Sequence, residues 1–205
     1  MSDRLYLSCW IRGFERPPSG GPRAYTGRII LRHFEKMLEL FPFSKLSQRA
    51  STVHVYAAAY SEPVLAEHNF PPGAFPAEMV AVLGEFVQDQ DDCAVELEAD
   101  WDLWQLGDSG WHLAPARVLL MCFGPDFENE EGDHLRIELG LDSLYLPLAG
   151  VDGSLRTAQS NLRSLLRLVG EIERSLPLER RLLWSESGVN FAEAVVETLS
   201  RIEAN

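Results

Sequence analysis

The chain has 205 residues, of which 46% are hydrophobic, 24% charged and 10% aromatic, and its net charge is −13. This ordinary globular composition excludes collagen-like, low-complexity and wholly disordered chains. The apolar run at residues 118–123 is far shorter than the roughly 18 residues that cross a bilayer, and the amino-terminal segment lacks the apolar core of a signal peptide. Three widely spaced cysteines (Cys9, Cys93 and Cys122) predict buried, reduced thiols. We therefore expect a cytoplasmic protein with no membrane partner.

The charge is strongly segregated along the chain. Residues 1–50 carry nine lysines and arginines and four acidic residues, whereas residues 51–155 carry two arginines and twenty acidic residues. Such an acidic region repels phosphate backbones, so no nucleic-acid partner is expected. It is suited either to attracting a basic protein partner or simply to keeping the protein soluble.

The first half of the chain shows both of the periodicities that define regular structure. Helical spacing of apolar residues predicts helices over residues 29–41 and 77–88, the second with Leu83 and Phe86 directed inward. A turn-rich segment over residues 15–28 predicts a mobile loop before the first helix. Alternation of apolar and polar residues predicts strands over residues 5–12, 52–60, 63–68 and 94–104.

The resulting order, β-α-β-β-α-β over about residues 4–104, is that of a ferredoxin-like split βαβ unit. In that arrangement the fourth strand lies beside the first. Beyond it, an apolar strand over 114–124 and a second strand over 135–141 predict an antiparallel β-meander.

Two carboxy-terminal helices complete the prediction. The first has a leucine stripe and ends at Pro177, and the second begins at Asn190 and buries Phe191, Leu199 and Ile202. Neither a repeat nor a flexible linker divides the sequence. We therefore predict one α+β domain over residues 1–205, with a ferredoxin-like core, a β-meander and two carboxy-terminal helices (about 105–205).

A Gly-Asp-Ser-Gly run at residues 107–110 matches the tetrapeptide around the nucleophile of trypsin-like serine proteases, and His68 and Asp102 precede it in the corresponding order. The resemblance ends there, because Trp111 stands where that family continues with glycine. Only six residues separate Asp102 from Ser109. Between two strands, these residues are typical of a turn.

Metal-binding patterns are equally weak. Residues 126–134 alternate oxygen-bearing side chains like a calcium loop, but Glu131 stands where glycine is needed and Ile137 where a bidentate glutamate is needed. The segment therefore predicts a solvated hairpin tip. The five histidines show no zinc-type spacing, and we predict neither a metal nor a cofactor.

Four arginines share one stripe of the long predicted helix, opposite its leucines: Arg156, Arg163, Arg167 and Arg174. The stripe is either the water-facing side of an amphipathic helix or a docking surface for an acidic partner or a phosphate group.

The most unusual pattern is an acidic strand. Glu96, Glu98, Asp100 and Asp102 project from one side, because strand side chains alternate, and neighbours lie about 7 Å apart. We expect their mutual repulsion to raise the pKa of some of these carboxyl groups. This side is either plain solvent surface, with Arg12 pairing an acid, or a recognition surface.

With the fourth strand beside the first, this acidic side would also carry aromatic residues. The candidate binding residues are Tyr6, Trp10, Arg12, His54, Tyr56, Glu98 and Asp100. The leading hypothesis is a non-catalytic binding protein that recognises a basic partner through this face. An acidic inhibitor of a basic enzyme, such as a bacterial immunity protein, is one form of it, by analogy of charge alone.

Two alternatives remain open. The first is a metal-assisted hydrolase that uses Glu98 and Asp100 together with His54, which requires carboxylates converging from different elements. The second is a structural homodimer in which a second copy of the chain covers the sheet face.

Overall fold

The computed structural model describes residues 2–14, 24–87, 92–188 and 190–196. Seven strands form one sheet with the order β3-β2-β4-β5-β6-β1-β7, in which every neighbouring pair is antiparallel. The strands are β1 (Arg4–Ile11), β2 (Ser51–Ala57), β3 (Val64–Phe70), β4 (Cys93–Gly107), β5 (Gly110–Phe123), β6 (Leu135–Leu141) and β7 (Leu178–Ser185). The helices are α1 (Ala24–Leu40), α2 (Pro76–Val87) and α3 (Ser154–Ser175), with a short 3₁₀ helix at Asp142–Leu144. The α+β class is confirmed.

The helices pack on one face of the sheet and bury its apolar side chains. Leu7, Val55 and Leu97 on the strands are fully buried and belong to the same core as Phe34 of α1 and Leu83 of α2. Alternation of apolar and polar residues along β2, β4 and β6 creates this side, as the sequence predicts for these segments. Phe86 is an exception, because it is 38% exposed rather than directed inward.

The sheet order is not the ferredoxin-like one. β4 does not lie beside β1, because β5 and β6 stand between them. The physical reason is a tight hairpin: a two-residue turn, Asp108–Ser109, joins β4 to β5, and the two strands pair from Gly107 and Gly110 to their far ends. Closing so short a loop costs little entropy, so the local pairing occupies this edge of β4. The Gly-Asp-Ser-Gly run is thus a turn, as predicted.

One strand has no counterpart in the sequence prediction. β7 follows directly after Pro177 and pairs antiparallel with β1 along its whole length, from Leu5 opposite Ser185 to Ile11 opposite Leu178. Its sequence, Leu-Glu-Arg-Arg-Leu-Leu-Trp-Ser, places like residues side by side and does not alternate. Because β7 is an edge strand, much of both its faces is exposed and no period of two is imposed on it.

Two further boundaries differ from the prediction. α1 begins at Ala24, so residues 24–28, which we expected in a loop, are helical. Gly27 in an early turn costs about 1 kcal/mol relative to alanine, which a 17-residue helix tolerates. Residues 191–196 form helix as predicted and Phe191 is 2% exposed, whereas Leu199, Ile202 and most of the expected loop lie outside the described residues.

Cys9, Cys93 and Cys122 are buried, as expected, and none of them forms a disulfide within the described residues. Burial raises the pKa of Cys9 to about 12 and that of Cys93 to about 11. Of the helices that the structure describes, none combines the length and the apolar character needed to span a bilayer.

Candidate binding face of the sheet

The side of the sheet opposite the helices carries most of the candidate residues, and we call it the open face. Alternation places its side chains between the core positions of each strand. It comprises Tyr6, Ser8, Trp10, Thr52, His54, Tyr56, Glu96, Glu98, Asp100, Leu119, Met121, Arg136, Glu138, Leu182 and Trp184.

Strand register arranges these side chains in rows that cross the sheet. One row runs Trp184, Tyr6, Glu138, Leu119, Glu98 and Thr52. The next runs Leu182, Ser8, Arg136, Met121, Glu96 and His54. Tyr6 and Glu98 are three strand spacings apart, about 14 Å. The predicted site residues therefore share one face but form two groups.

The first group is aromatic and is completed by the strand that the sequence did not reveal. Tyr6 stacks on Trp184 with a centroid distance of 4.6 Å, and Trp184 Nε1 donates a hydrogen bond to Ser8 Oγ at 3.0 Å. The guanidinium of Arg180 lies 4.3 Å from the Trp10 ring centre. Both Trp184 and Arg180 belong to β7, and they were not predicted as site residues because the sequence did not predict that strand.

Arg12 does not join this group. It lies beyond the end of β1, where its backbone N–H donates to Pro177 O at 2.7 Å and its Nη2 donates to Leu178 O at 3.4 Å. The expected ion pair between Arg12 and an acidic residue of β4 is wrong. β4 is too far away, with two strands between them.

The second group is acidic, and other arginines neutralise most of it. Arg117 lies 3.1 Å from Glu98, and Arg49 donates to both oxygens of Asp100 at 2.9 and 3.0 Å. Ser47 Oγ also donates to Asp100 at 2.6 Å, so this carboxylate is only 6% exposed and fully satisfied. The acidic strand is therefore not a row of free carboxylates.

Glu96 is the exception. No lysine or arginine of the described residues lies within salt-bridge distance of it, although it is only partly exposed. Burial raises the pKa of its carboxyl group, the neighbouring His54 lowers it by a smaller amount, and the charges of Glu98 and Glu138 raise it further. Its cross-strand neighbour is His54, whose Nε2 lies 3.6 Å from Glu67 and whose buried Nδ1 has no hydrogen-bond partner among the described residues.

The loop between β5 and β6 covers one end of the open face. Its exposed acids match the expected solvated tip, but Asp133 is 1% exposed and receives two hydrogen bonds from Arg136, at 2.7 and 2.9 Å. Asn129 also donates to Asp133. Asp133 thus serves to hold the loop on the sheet. Beside it, Phe123 and Phe127 stack with a centroid distance of 5.8 Å.

The hydrolase alternative requires Glu98, Asp100 and His54 to converge. Glu98 and Asp100 are each held by an arginine, and His54 lies opposite Glu96. Within the described parts of the chain, no three His, Cys, Asp or Glu side chains are grouped so that they could hold a metal ion.

Comparison with known proteins gave no match to a family model, a curated protein or a solved structure.

Proposed function

We propose that this chain is a non-catalytic binding protein whose open face receives a basic segment of a partner protein. The observation that supports the proposal is Glu96, a partly buried carboxylate that has His54 beside it but no lysine or arginine partner among the described residues. Its neighbours Glu98 and Asp100 have arginine partners within the chain.

A carboxylate that has lost part of its hydration without gaining a cation destabilises the folded protein. The raised pKa of Glu96 is a sign of that cost. A lysine or arginine side chain from a partner would compensate the charge. Pairing of this kind across an interface gives specificity, and the net charge of −13 accelerates the encounter with a basic partner.

The side chains around Glu96 suit a cation with an aliphatic stem. Tyr56 and His54 on β2 lie beside it, and Met121 on β5 is its other cross-strand neighbour. Tyrosine rings attract cations. Met121 is itself only 5% exposed and contacts the Tyr60 hydroxyl through its sulfur, so the tyrosine and histidine rings provide the accessible surface. The stacked Tyr6 and Trp184, farther along the face, would anchor the apolar side of a longer segment.

A second copy of the chain fits this face less well. A two-fold interface would place the same patch of both copies together, and carboxylates such as Glu96 and Glu98 would then approach their own equivalents. Like charges brought together in this way oppose association. This favours a basic partner over the homodimer.

An NMR titration tests the proposal. The probes are a 12-residue amphipathic peptide of lysine and leucine and a second peptide with glutamate in place of lysine. We expect the lysine peptide alone to shift the amide signals of His54, Glu96 and Met121. Glu96→Gln should weaken its binding roughly tenfold. The control is Glu85→Gln, which removes one exposed charge from α2 and should leave binding unchanged.

Three outcomes would contradict the proposal. The two peptides would bind equally, the shifts would fall outside the open face, or Glu96→Gln would bind like the wild type. Sedimentation showing a dimer that Glu96→Gln strengthens would support the homodimer instead.

A further inference from the structure

A cavity of about 510 Å³ lies where the β4–β5 hairpin meets the first half of α3. This volume is within the range of about 300–1,000 Å³ that is usual for small-molecule sites. Its lining combines two indole rings with two guanidinium groups, and it consists of Trp104, Trp111, Gly153, Arg156, Thr157, Ser160 and Arg163.

Contacts at the backbone hold both tryptophans in place. The side-chain amide of Asn161 accepts a hydrogen bond from Trp104 N and donates one to Trp104 O, both at 2.9 Å. Trp111 Nε1 donates to Asp152 O at 2.8 Å. Gly153 has φ +77°, and a Cβ there would lie 3.2 Å from Trp111 Cδ1, so only glycine fits easily beside the ring. The ring of Trp111 is therefore held in place before any ligand binds, whereas for Trp104 these contacts fix the backbone from which its ring projects.

The helical wall supplies hydrogen-bond donors. Arg156, Ser160 and Arg163 are spaced by four and three residues and so lie on one side of α3. Within the described chain, neither Arg156 nor Arg163 forms an ion pair, whereas Arg174 on the same helix pairs with Glu171 at 2.8 Å. The backbone positions of these two arginines are about 10.5 Å apart along the axis, and both side chains line the cavity and give it positive charge.

We propose that this cavity binds a small ligand that joins a flat ring to an anionic group, as a nucleoside monophosphate does. Guanidinium groups bind phosphate oxygens in a bidentate manner, and indole faces stack on planar rings. The net charge of −13 opposes a long polyanion but scarcely affects one phosphate group. The proposal is independent of the basic partner, and it assigns a role to Arg156 and Arg163 within the arginine stripe.

Calorimetry and tryptophan fluorescence with the four ribonucleoside 5′-monophosphates test this site. We expect at least one of them to bind roughly tenfold tighter than its nucleoside and than inorganic phosphate, because only the monophosphate engages both walls. Arg156→Gln and Arg163→Gln should each weaken it roughly tenfold, through loss of a charge-assisted contact. Both arginines are exposed, so these variants should fold.

The matched control is Arg167→Gln, which removes an exposed arginine of α3 that does not line the cavity. Binding should then stay within about twofold, since Arg167 makes no contact inside the cavity and its exposed charge acts on a ligand only through high-dielectric solvent. The proposal is overturned if no monophosphate binds at millimolar concentration. It is also overturned if Arg167→Gln weakens binding as much as Arg163→Gln, if inorganic phosphate binds as tightly as the monophosphates, or if a 12-residue oligothymidylate binds more tightly than all four.

Discussion

At the edge of β4, the side chain of Asn161 forms the backbone hydrogen bonds that a neighbouring strand would otherwise form. The last residue of β4 that pairs with β2 is Glu98, so the backbone of Trp104 lies beyond the reach of β2. The Asn161 amide satisfies Trp104 N and O and donates to Leu144 O at 2.7 Å, while the side chain is 2% exposed. One residue thereby joins α3, β4 and the 3₁₀ helix.

Replacement of Asn161 by leucine should be strongly destabilising. The branched shape of the side chain is preserved, but three backbone groups lose their partner, and an unsatisfied buried group costs about 1–3 kcal/mol. We expect the free energy of unfolding in urea to fall by about 3 kcal/mol in total. Asn69→Leu, at an exposed position with one hydrogen bond to Thr52, should change it by less than about 1 kcal/mol. Equal midpoints for the two variants would contradict this assignment.

The pair formed by Arg136 and Asp133 is the most buried ionic contact on the open face. Arg136→Met would leave the carboxylate of Asp133 buried without its cation, which typically costs about 3–5 kcal/mol. The double variant Asp133→Leu with Arg136→Met removes both charges and should recover part of that loss. A double-mutant cycle in guanidinium chloride measures the coupling, and strictly additive effects would contradict it.

At the scale of elements, the sequence predicted most strands and helices because burial imposes a period. β4 and α2 lie within three residues of their predicted limits, since one face of each packs in the core. β7 lacks this constraint: Arg180 and Arg181 are adjacent and both exposed, and Leu182 and Leu183 are adjacent and half-buried. Periodicity cannot reveal a strand whose two faces are nearly alike.

The sheet order and half of the candidate site could not be derived in the same way. Alternation states which side of a strand is buried, but it does not state which strand lies next to it. The open-face positions of His54 and Glu98 were therefore predictable, and their separation from Tyr6 was not. The cavity could not be predicted from the sequence either, because Trp104 and Arg156 come from elements about fifty residues apart in the chain.

Val95→Asp tests the direction of β4. Val95 is 1% exposed and lies in the core beneath the helices. A carboxylate there would be buried without a cation, so we expect the variant to be unfolded in circular dichroism at ambient temperature. Glu96→Asp, one residue further along and on the open face, should melt cooperatively within a few degrees of the wild type. A soluble, cooperatively melting Val95→Asp would contradict this orientation.

At the scale of the whole molecule, the acidic charge makes stability depend on pH. The pKa of Glu96 in the fold is raised above its ordinary value of 4.5, chiefly by burial. The folded state thus binds the proton more tightly, and stability rises as the pH falls through the folded pKa towards 4.5. As the pH falls over this range, we expect the melting temperature of the wild type to rise relative to that of Glu96→Gln. A difference between the two melting temperatures that does not change with pH would contradict this prediction.

The salt dependence of stability distinguishes burial from charge repulsion as the cause of the raised pKa of Glu96. Repulsion between Glu96 and Glu98 would be screened, so the difference between the wild type and Glu96→Gln would shrink in molar salt. Because burial is the larger effect, the difference should persist. The expectation that repulsion raises the pKa of some carboxyl groups of this strand holds for Glu96, where the charge of Glu98 is a smaller cause than burial.

His134 should act in the opposite direction. Burial lowers its pKa below 6.5, and its Nδ1 accepts a hydrogen bond from Ile11 N at 2.8 Å, which protonation would break. As the pH falls, the histidine is protonated at a higher pH in the unfolded chain than in the folded protein. Stability is therefore lost as the pH falls from 6.5 towards the folded pKa. The melting temperature of His134→Gln should depend less on pH than that of the wild type in this window. The control is exposed His112→Gln, which should follow the wild type.

The place of β1 between β6 and β7 governs the order in which the sheet can be completed during synthesis. β1 leaves the ribosome before both of its partners, because residues 135–141 follow more than a hundred residues later and β7 follows later still. Translation at about 5–20 residues per second leaves this apolar segment unpaired for several seconds. By contrast, β4 and β5 can close their hairpin as soon as both have emerged. The amino-terminal strand is therefore the segment that a nascent-chain chaperone would have most time to hold.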